Sequence, residues 1–248
     1  MTSIKIAIFS TEIRSMRIFA IFLTCSFVSS ASFAREIICD RNTGRSALIV
    51  IDMQPRFITR GGNDRKPANI KKVNDVITAQ AEAIKKARAY GIPIVFIEYE
   101  GSFGDTNSIL KDAAKNYGRV KYFKKNSDGM FESDNKYRVD LIDFLKKNNV
   151  STLVITGANG GACVLASIQG SLDGNCTVLA YSNGIADFNY KDFIYPYVGE
   201  YKDIRPNCTD CKFRESSSIN DIIEAMAKGS TISDSSPVGR TQRQGWSQ

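Results

Sequence analysis

The sequence predicts an α/β fold: one mostly parallel sheet covered by helices on both faces. Three observations lead there. Short apolar runs alternate along the chain with longer amphipathic stretches, the pattern of repeated β-α units. The run at 46–51 is apolar without alternation, as a strand buried on both faces must be. Residues able to do chemistry stand directly after several runs, at the strand ends where open parallel sheets bind ligands. A chain of 248 residues is long enough for one such domain with a well-buried core. Its 43% hydrophobic and 24% charged residues exclude a disordered or fibrous class.

Residues 1–34 read as a leader and not as fold. Met16-Arg17 precedes an apolar run over 18–28, and small residues Ser32 and Ala34 stand where a signal peptidase needs them. The run is well short of the roughly 20 residues a spanning helix requires. The expectation is a signal peptide ending at Ala34, with Met16 as a candidate start and no membrane anchor after cleavage. Cleavage removes Lys5, Arg14, Arg17 and Glu12, which lowers the net charge of +7 by two. The remaining Lys and Arg are scattered along helices, the pattern of a solvated surface and not of a nucleic-acid groove.

The cysteines suit export to the periplasm or beyond. Past the leader stand Cys39, Cys163, Cys176, Cys208 and Cys211. If Cys163 stays free, the other four can form two disulfides in an oxidising compartment. Cys208 and Cys211 have CxxC spacing, which also suits a metal or a redox pair. A zinc site would have to recruit Cys39 and Cys176, because the chain has no histidine. No metal or cofactor is expected. Without imidazole, acid and base roles fall to carboxylates, lysine, tyrosine or thiol.

The elements follow in order. Residues 35–45 are a polar lead-in holding Cys39. The strand at 46–51 ends in Asp52-Met53-Gln54-Pro55, a carboxylate followed by a break. After a loop at 61–68, residues 70–90 form an amphipathic helix with Val73, Val76, Ile77, Ala81, Ile84 and Ala87 on its apolar face, stopped by Gly91. A second strand covers 93–97, a short helix lies near 108–116, and a weaker third strand covers 119–123, followed by Lys124 and Lys125. A helix at 139–148 leads to a fourth strand at 150–156. Then come Gly157-Ala158-Asn159-Gly160-Gly161-Ala162-Cys163 and a helix reaching about Asp173. The fifth strand covers 177–181, with Asn183 to Asp187 at its carboxyl end. Residues 188–211 are irregular. A short edge strand near 212–214 and a helix at 219–227, capped by Ser218, close the domain at about residue 228. The tail 229–248 is polar and expected to be disordered.

Asp52, Lys125 (or Lys124) and Cys163 each follow a strand at its carboxyl end. If the first, third and fourth strands lie mid-sheet, the three side chains share one crevice. A cysteine in the first turn of a helix meets unpaired N–H groups and a partial positive charge, which favour the thiolate and can hold an oxyanion. Three glycines let the turn come close to a substrate. The competing reading of Cys163 is a small buried core residue.

At these residues the chain resembles the isochorismatase-like cysteine hydrolases, which include nicotinamidases and N-carbamoylsarcosine amidases. The resemblance rests on Ala47 to Gln54 with Asp52, on Lys125 six residues before Phe131, on Val154 to Gly157 leading to Cys163-Val164, and on Ala186-Asp187. The lysine-to-aromatic spacing selects Lys125 over Lys124. The resemblance implies a three-layer α/β/α domain with a parallel sheet of about six strands. It implies an Asp–Lys–Cys triad, with Asp52 as base, Cys163 as nucleophile and Lys125 as electrostatic partner. It also implies a cis peptide at Ala158-Asn159, with the oxyanion on the Asn159 and Cys163 N–H groups. Two departures stand out. Gly160 and Gly161 occupy positions where the family often has threonine and an acidic residue. The histidines of the nicotinamidase metal site are missing.

The function this implies is an exported hydrolase of a small non-peptide carboxamide or related C–N bond, working through a Cys163 thioester. Phe57, Tyr99 and Phe131 are candidate pocket walls. A homo-oligomer is compatible with this reading. The alternative is a catalytically silent relative kept as a secreted interaction protein. Behind both stands a thiol–disulfide protein using Cys208 and Cys211.

Overall fold

The computed structural model describes residues 36–40, 44–59, 65–188, 193–197, 201, 204 and 212–227. The expected leader at 1–34, the Cys208–Cys211 pair and the tail at 229–248 lie outside the described residues. Six strands form one sheet: β1 (Arg45–Ile51), β2 (Ile94–Tyr99), β3 (Val120–Lys125), β4 (Val150–Gly157), β5 (Thr177–Ile185) and β6 (Phe213–Ser216). Their order is β3-β2-β1-β4-β5-β6, and every neighbouring pair is parallel. Helices α1 (Pro55–Ile58), α2 (Pro67–Ala89), α3 (Ser108–Ala114), α4 (Arg138–Lys147), α5 (Leu165–Asp173) and α6 (Ile219–Ala227) connect or close the units. A π-helical turn, Gly160–Val164, leads into α5.

The continuous apolar strands are explained by two cores. Alternate residues of each strand go to opposite faces. Leu48, Val50, Ile94, Phe96 and Val154 meet Val76 and Ile84 of α2, Leu110 of α3 and Ile222 of α6. Ile49, Ile51, Val95, Ile97 and Ile155 meet Leu141 and Leu145 of α4 and Ile168 and Leu172 of α5. This is a three-layer α/β/α arrangement. Among the described residues no helix is long and apolar enough to cross a membrane.

Element boundaries depart from the sequence reading where chemistry outside the apolar pattern decides them. Helix α2 starts at Pro67 and not Ile70, because proline is favoured in the first turn, where its missing N–H is not needed. Strand β5 runs on to Ile185. Gln80 of α2 donates from Nε2 to the Gly184 carbonyl at 2.7 Å, which holds the Asn183-Gly184 stretch in the sheet after a register shift against β4. Strand β3 extends to Lys125, paired with Tyr99 of β2. The polar lead-in is docked and not loose: Ile38 and Cys39 donate to the Gly174 carbonyl at 2.9 and 3.1 Å. Cys39 is joined to Cys176 by a disulfide, which settles a pairing that the sequence left open among the four cysteines.

Candidate active site

The strand order reverses between β1 and β4. The chain runs outward through β2 to β3, then returns to lay β4 on the other side of β1. Such switch points open a crevice at the carboxyl ends of the strands. Asp52 leaves β1 and the turn holding Cys163 leaves β4 at this point.

Asp52 has a left-handed backbone, φ 51°, uncommon outside glycine and asparagine. Its N–H donates to the Ile97 carbonyl at 2.9 Å, which pins the strand end while the side chain turns into the crevice. That side chain is fully buried. Its partner is Lys125, whose Nζ lies 2.9 Å from Oδ2 and is also fully buried.

The lysine does not come from a central strand. Strand β3 is the sheet edge, and β2 lies between it and β1. Lys125 therefore has to cross the end of β2, a span that suits its long stem. Its ammonium passes over Tyr99, with Nζ 4.5 Å from the ring centre. It also donates to the carbonyls of Ser127 and Asp128, each at 3.0 Å. Lys124 points to the exposed side of the edge strand, so strand alternation separates the two lysines.

Cys163 is the free cysteine among the described residues and is buried. Its Sγ lies 3.7 Å from Asp128 Oδ1, and it feels the charges of both Asp52 and Lys125. Burial pushes the Asp52 carboxyl up from 3.8 to about 6, against the attraction of Lys125. Neither carboxylate oxygen receives a backbone N–H that would hold it ionised more firmly. Burial opposes the Lys125 ammonium, but Asp52 and Cys163 outweigh it, and its pKa rises. The thiol also moves up, through burial first and the Asp52 charge second, with Lys125 opposing. Burial and the Asp52 charge thus act against the thiolate that the helix N-terminus was expected to favour. Both effects favour a resting thiol, with the Asp52 carboxylate near enough to act on it by its charge.

The turn before the cysteine is held from several sides. Gly157 has φ 135°, and a Cβ there would run into the Ile51 backbone. The Ala158–Asn159 peptide is cis. The Asn159 carbonyl accepts from Ala162 and Val164 at 3.2 and 3.0 Å, and its side-chain oxygen accepts from Phe188 N–H at 2.9 Å. The Asn159 N–H has no acceptor among the described residues. The glycine pair also has a steric cause. The Tyr197 ring sits where a Gly160 side chain would go, and its hydroxyl would lie 2.9 Å from a Cβ on Gly161. Asp187 accepts from the Gly161 N–H at 2.8 Å.

Of the three candidate wall residues, Phe57 and Tyr99 stand together beside the Lys125 crossing. Their rings are 6.0 Å apart, edge to face, and both pack on Phe103. Phe131 stands apart from them. It packs against Gly170 of α5 and lines a groove on the outer side of that helix. Sequence reasoning missed Phe103, Tyr197, Asp128 and Gln54. Gln54 bonds β1 to β2 through Tyr99 N–H at 2.7 Å, the Tyr99 carbonyl at 3.1 Å and the Gly104 carbonyl at 2.6 Å. A glutamine two residues after the Asp52 carboxylate was the available signal. Among the described residues no cluster of three or more Cys, Asp or Glu side chains is arranged to hold a metal ion.

A parallel three-layer α/β/α domain with a carboxylate, a lysine and a thiol at its switch point is the architecture of a nucleophile-bearing α/β domain. The isochorismatase domain model matches residues 46–193, and the chain belongs to that family. Solved structures share the fold. A putative isochorismatase from Burkholderia xenovorans LB400 is 20% identical, over 75% of this chain and 88% of that one, with a TM-score of 0.53. An isochorismatase-like hydrolase from Alkaliphilus metalliredigens is 19% identical, over 73% and 98%, with a TM-score of 0.53. N-carbamoylsarcosine amidase from Thermoplasma acidophilum is 17% identical, over 70% and 98%, with a TM-score of 0.50. No curated protein sequence matches the chain.

Proposed function

We propose that this protein is a cysteine hydrolase of a small non-peptide carboxamide or related C–N bond. The observation that carries the reading is the buried Asp52–Lys125 ion pair closed on the one free thiol among the described residues. In this scheme Asp52, ionised, takes the Sγ proton as Cys163 attacks the substrate carbonyl carbon. Lys125 keeps Asp52 ionised and balances the charge that moves onto the substrate oxygen. The N–H groups of Asn159 and Cys163 hold that oxyanion. The proton on Asp52 passes to the departing nitrogen as the C–N bond breaks, which leaves a thioester. Water, deprotonated by Asp52, then cleaves the thioester, releases the carboxylic acid and restores the thiol. Phe57 and Tyr99 form one wall of the substrate site. The amidase named among the structural relatives supports a C–N bond as the target.

The same reading places the protein outside the cytoplasm. The leader-like residues 1–34 and the Cys39–Cys176 disulfide support export, since such bonds persist mainly in oxidising compartments. The N-terminus of the mature protein, read by sequencing, is expected at Arg35.

The test is ammonia or amine release from a panel of small carboxamides. Cys163→Ala is expected to abolish release, with Cys163→Ser retaining a trace at most. Hydrolysis that survives Cys163→Ala overturns the mechanism. No release from any amide, with native folding intact, favours the interaction-protein reading.

A further inference from the structure

Asp128 stands beside the nucleophile and has no role in the scheme above. Its Oδ1 lies 3.7 Å from Cys163 Sγ. Unlike Asp52 and Lys125, it is exposed at the mouth of the crevice. No Lys or Arg side chain lies within salt-bridge distance of it among the described residues. Its position is built in, because its own carbonyl and that of Ser127 accept from the Lys125 ammonium. The Ser127 hydroxyl tightens the same loop by donating to the Gly129 carbonyl at 3.2 Å. The lysine that pairs with Asp52 thus also fixes the loop that presents Asp128 to the sulfur.

The charges around the sulfur do not cancel. Lys125 is matched by Asp52 at 2.9 Å, and Asp128 is left over as an unmatched negative charge. A reacting carbonyl carbon has to come within bonding distance of Sγ. Groups one or two bonds from that carbon then fall within hydrogen-bond reach of the Asp128 oxygens. A carboxylate there rejects an anionic substituent by like charge and accepts from an N–H or ammonium group.

Building on the proposed hydrolase function, we infer that Asp128 is the specificity residue of this site and that it selects carboxamides bearing a protonated amine close to the scissile carbonyl. Neutral isosteres are poorer substrates, and amides bearing a carboxylate are the poorest.

Two measurements test this, and the first needs no turnover. The native protein is treated with a cationic and an anionic thiosulfonate of similar size, 2-aminoethyl and 2-sulfonatoethyl methanethiosulfonate. In each, the Cys163 thiolate forms a disulfide with the reagent and expels methanesulfinate. The label is located on the Cys163 peptide by mass spectrometry. Because both reagents need the same thiolate, their rate ratio cancels its abundance and reads the local charge. The cationic reagent is expected to be faster by about tenfold or more at low salt. Asp128→Asn is expected to collapse most of that ratio. An equal or inverted ratio in the wild type, or a ratio unchanged in Asp128→Asn, overturns the inference.

The second measurement compares kcat/KM for glycinamide, propionamide and succinamate. Glycinamide is expected to lead, and Asp128→Asn is expected to lower glycinamide turnover and raise that of succinamate. Turnover without this order overturns the assignment of Asp128 and leaves the hydrolase reading standing. A tenfold reagent ratio with no turnover of any amide counts against the hydrolase reading and retains the charge selectivity of the thiol.

Discussion

Asp52 and Lys125 form a fully buried ion pair, Oδ2 to Nζ 2.9 Å, although their strands are separated by a third. The pair sets when the base is ready. Asp52 accepts a proton only when ionised, and burial has raised its pKa to about 6. The proposed hydrolysis should therefore gain kcat/KM with rising pH through about 6 and level off above it. Lys125 is what restrains this rise, so Lys125→Met should move the limb to higher pH as well as lower the plateau. A pH–rate profile of both proteins checks this. A limb that stays in place in the variant means that another group is titrating.

The same carboxyl affects stability. Its folded pKa of about 6 lies above the ordinary 3.8. Between those values the folded state holds the proton more tightly than the unfolded chain. The stability it contributes is therefore greatest below about pH 4 and falls as pH rises toward 6, by about 3 kcal/mol in all. Other carboxylates run the opposite way, so the quantity to measure is wild type against Asp52→Asn. Urea unfolding from pH 4 to 7 should show the wild type losing ground to the variant over this window. A difference that does not change with pH would contradict the assignment.

Much of this was readable in the sequence because it rests on local pattern. The apolar run at 46–51 and the glycine turn at 157–161 each announce their place within a few residues. The position of β3 was not readable. Pairing order is set by the return of β4 to β1, and no property of residues 120–125 reports it. Nor was Tyr197, which explains Gly160 and Gly161 but meets them only after the chain has completed β5. The groups that raise the Cys163 thiol pKa were hidden for a related reason. A helix N-terminus is visible in sequence, whereas burial and the Asp52 charge, which both raise the thiol pKa, arise only on folding.

The raised thiol leads to a counter-intuitive expectation. Asp52 pushes the thiol pKa upward by its charge. Asp52→Asn should therefore abolish hydrolysis yet make Cys163 react faster with iodoacetamide at neutral pH. Loss of base and gain of thiolate are separable only if Asp52 acts as proposed. Alkylation rates between pH 6 and 9, read on the Cys163 peptide, give the comparison. A slower-reacting variant would show that Asp52 assists the resting thiolate and does not suppress it.

Gly160 and Tyr197 should prove energetically coupled. A methyl at Gly160 has no room beside the Tyr197 ring, so Gly160→Ala must displace either the ring or the turn that positions Cys163. The expected cost is about 2–4 kcal/mol. Tyr197→Ala empties that space at a cost of its own, about 3 kcal/mol for a buried aromatic. In the double variant the methyl enters the emptied space, and the summed losses should overstate the true loss by about 1–3 kcal/mol. Urea denaturation of the four proteins completes the cycle. Additivity within about 0.5 kcal/mol would mean that the ring does not dictate the glycine, and another neighbour of the turn would have to be sought.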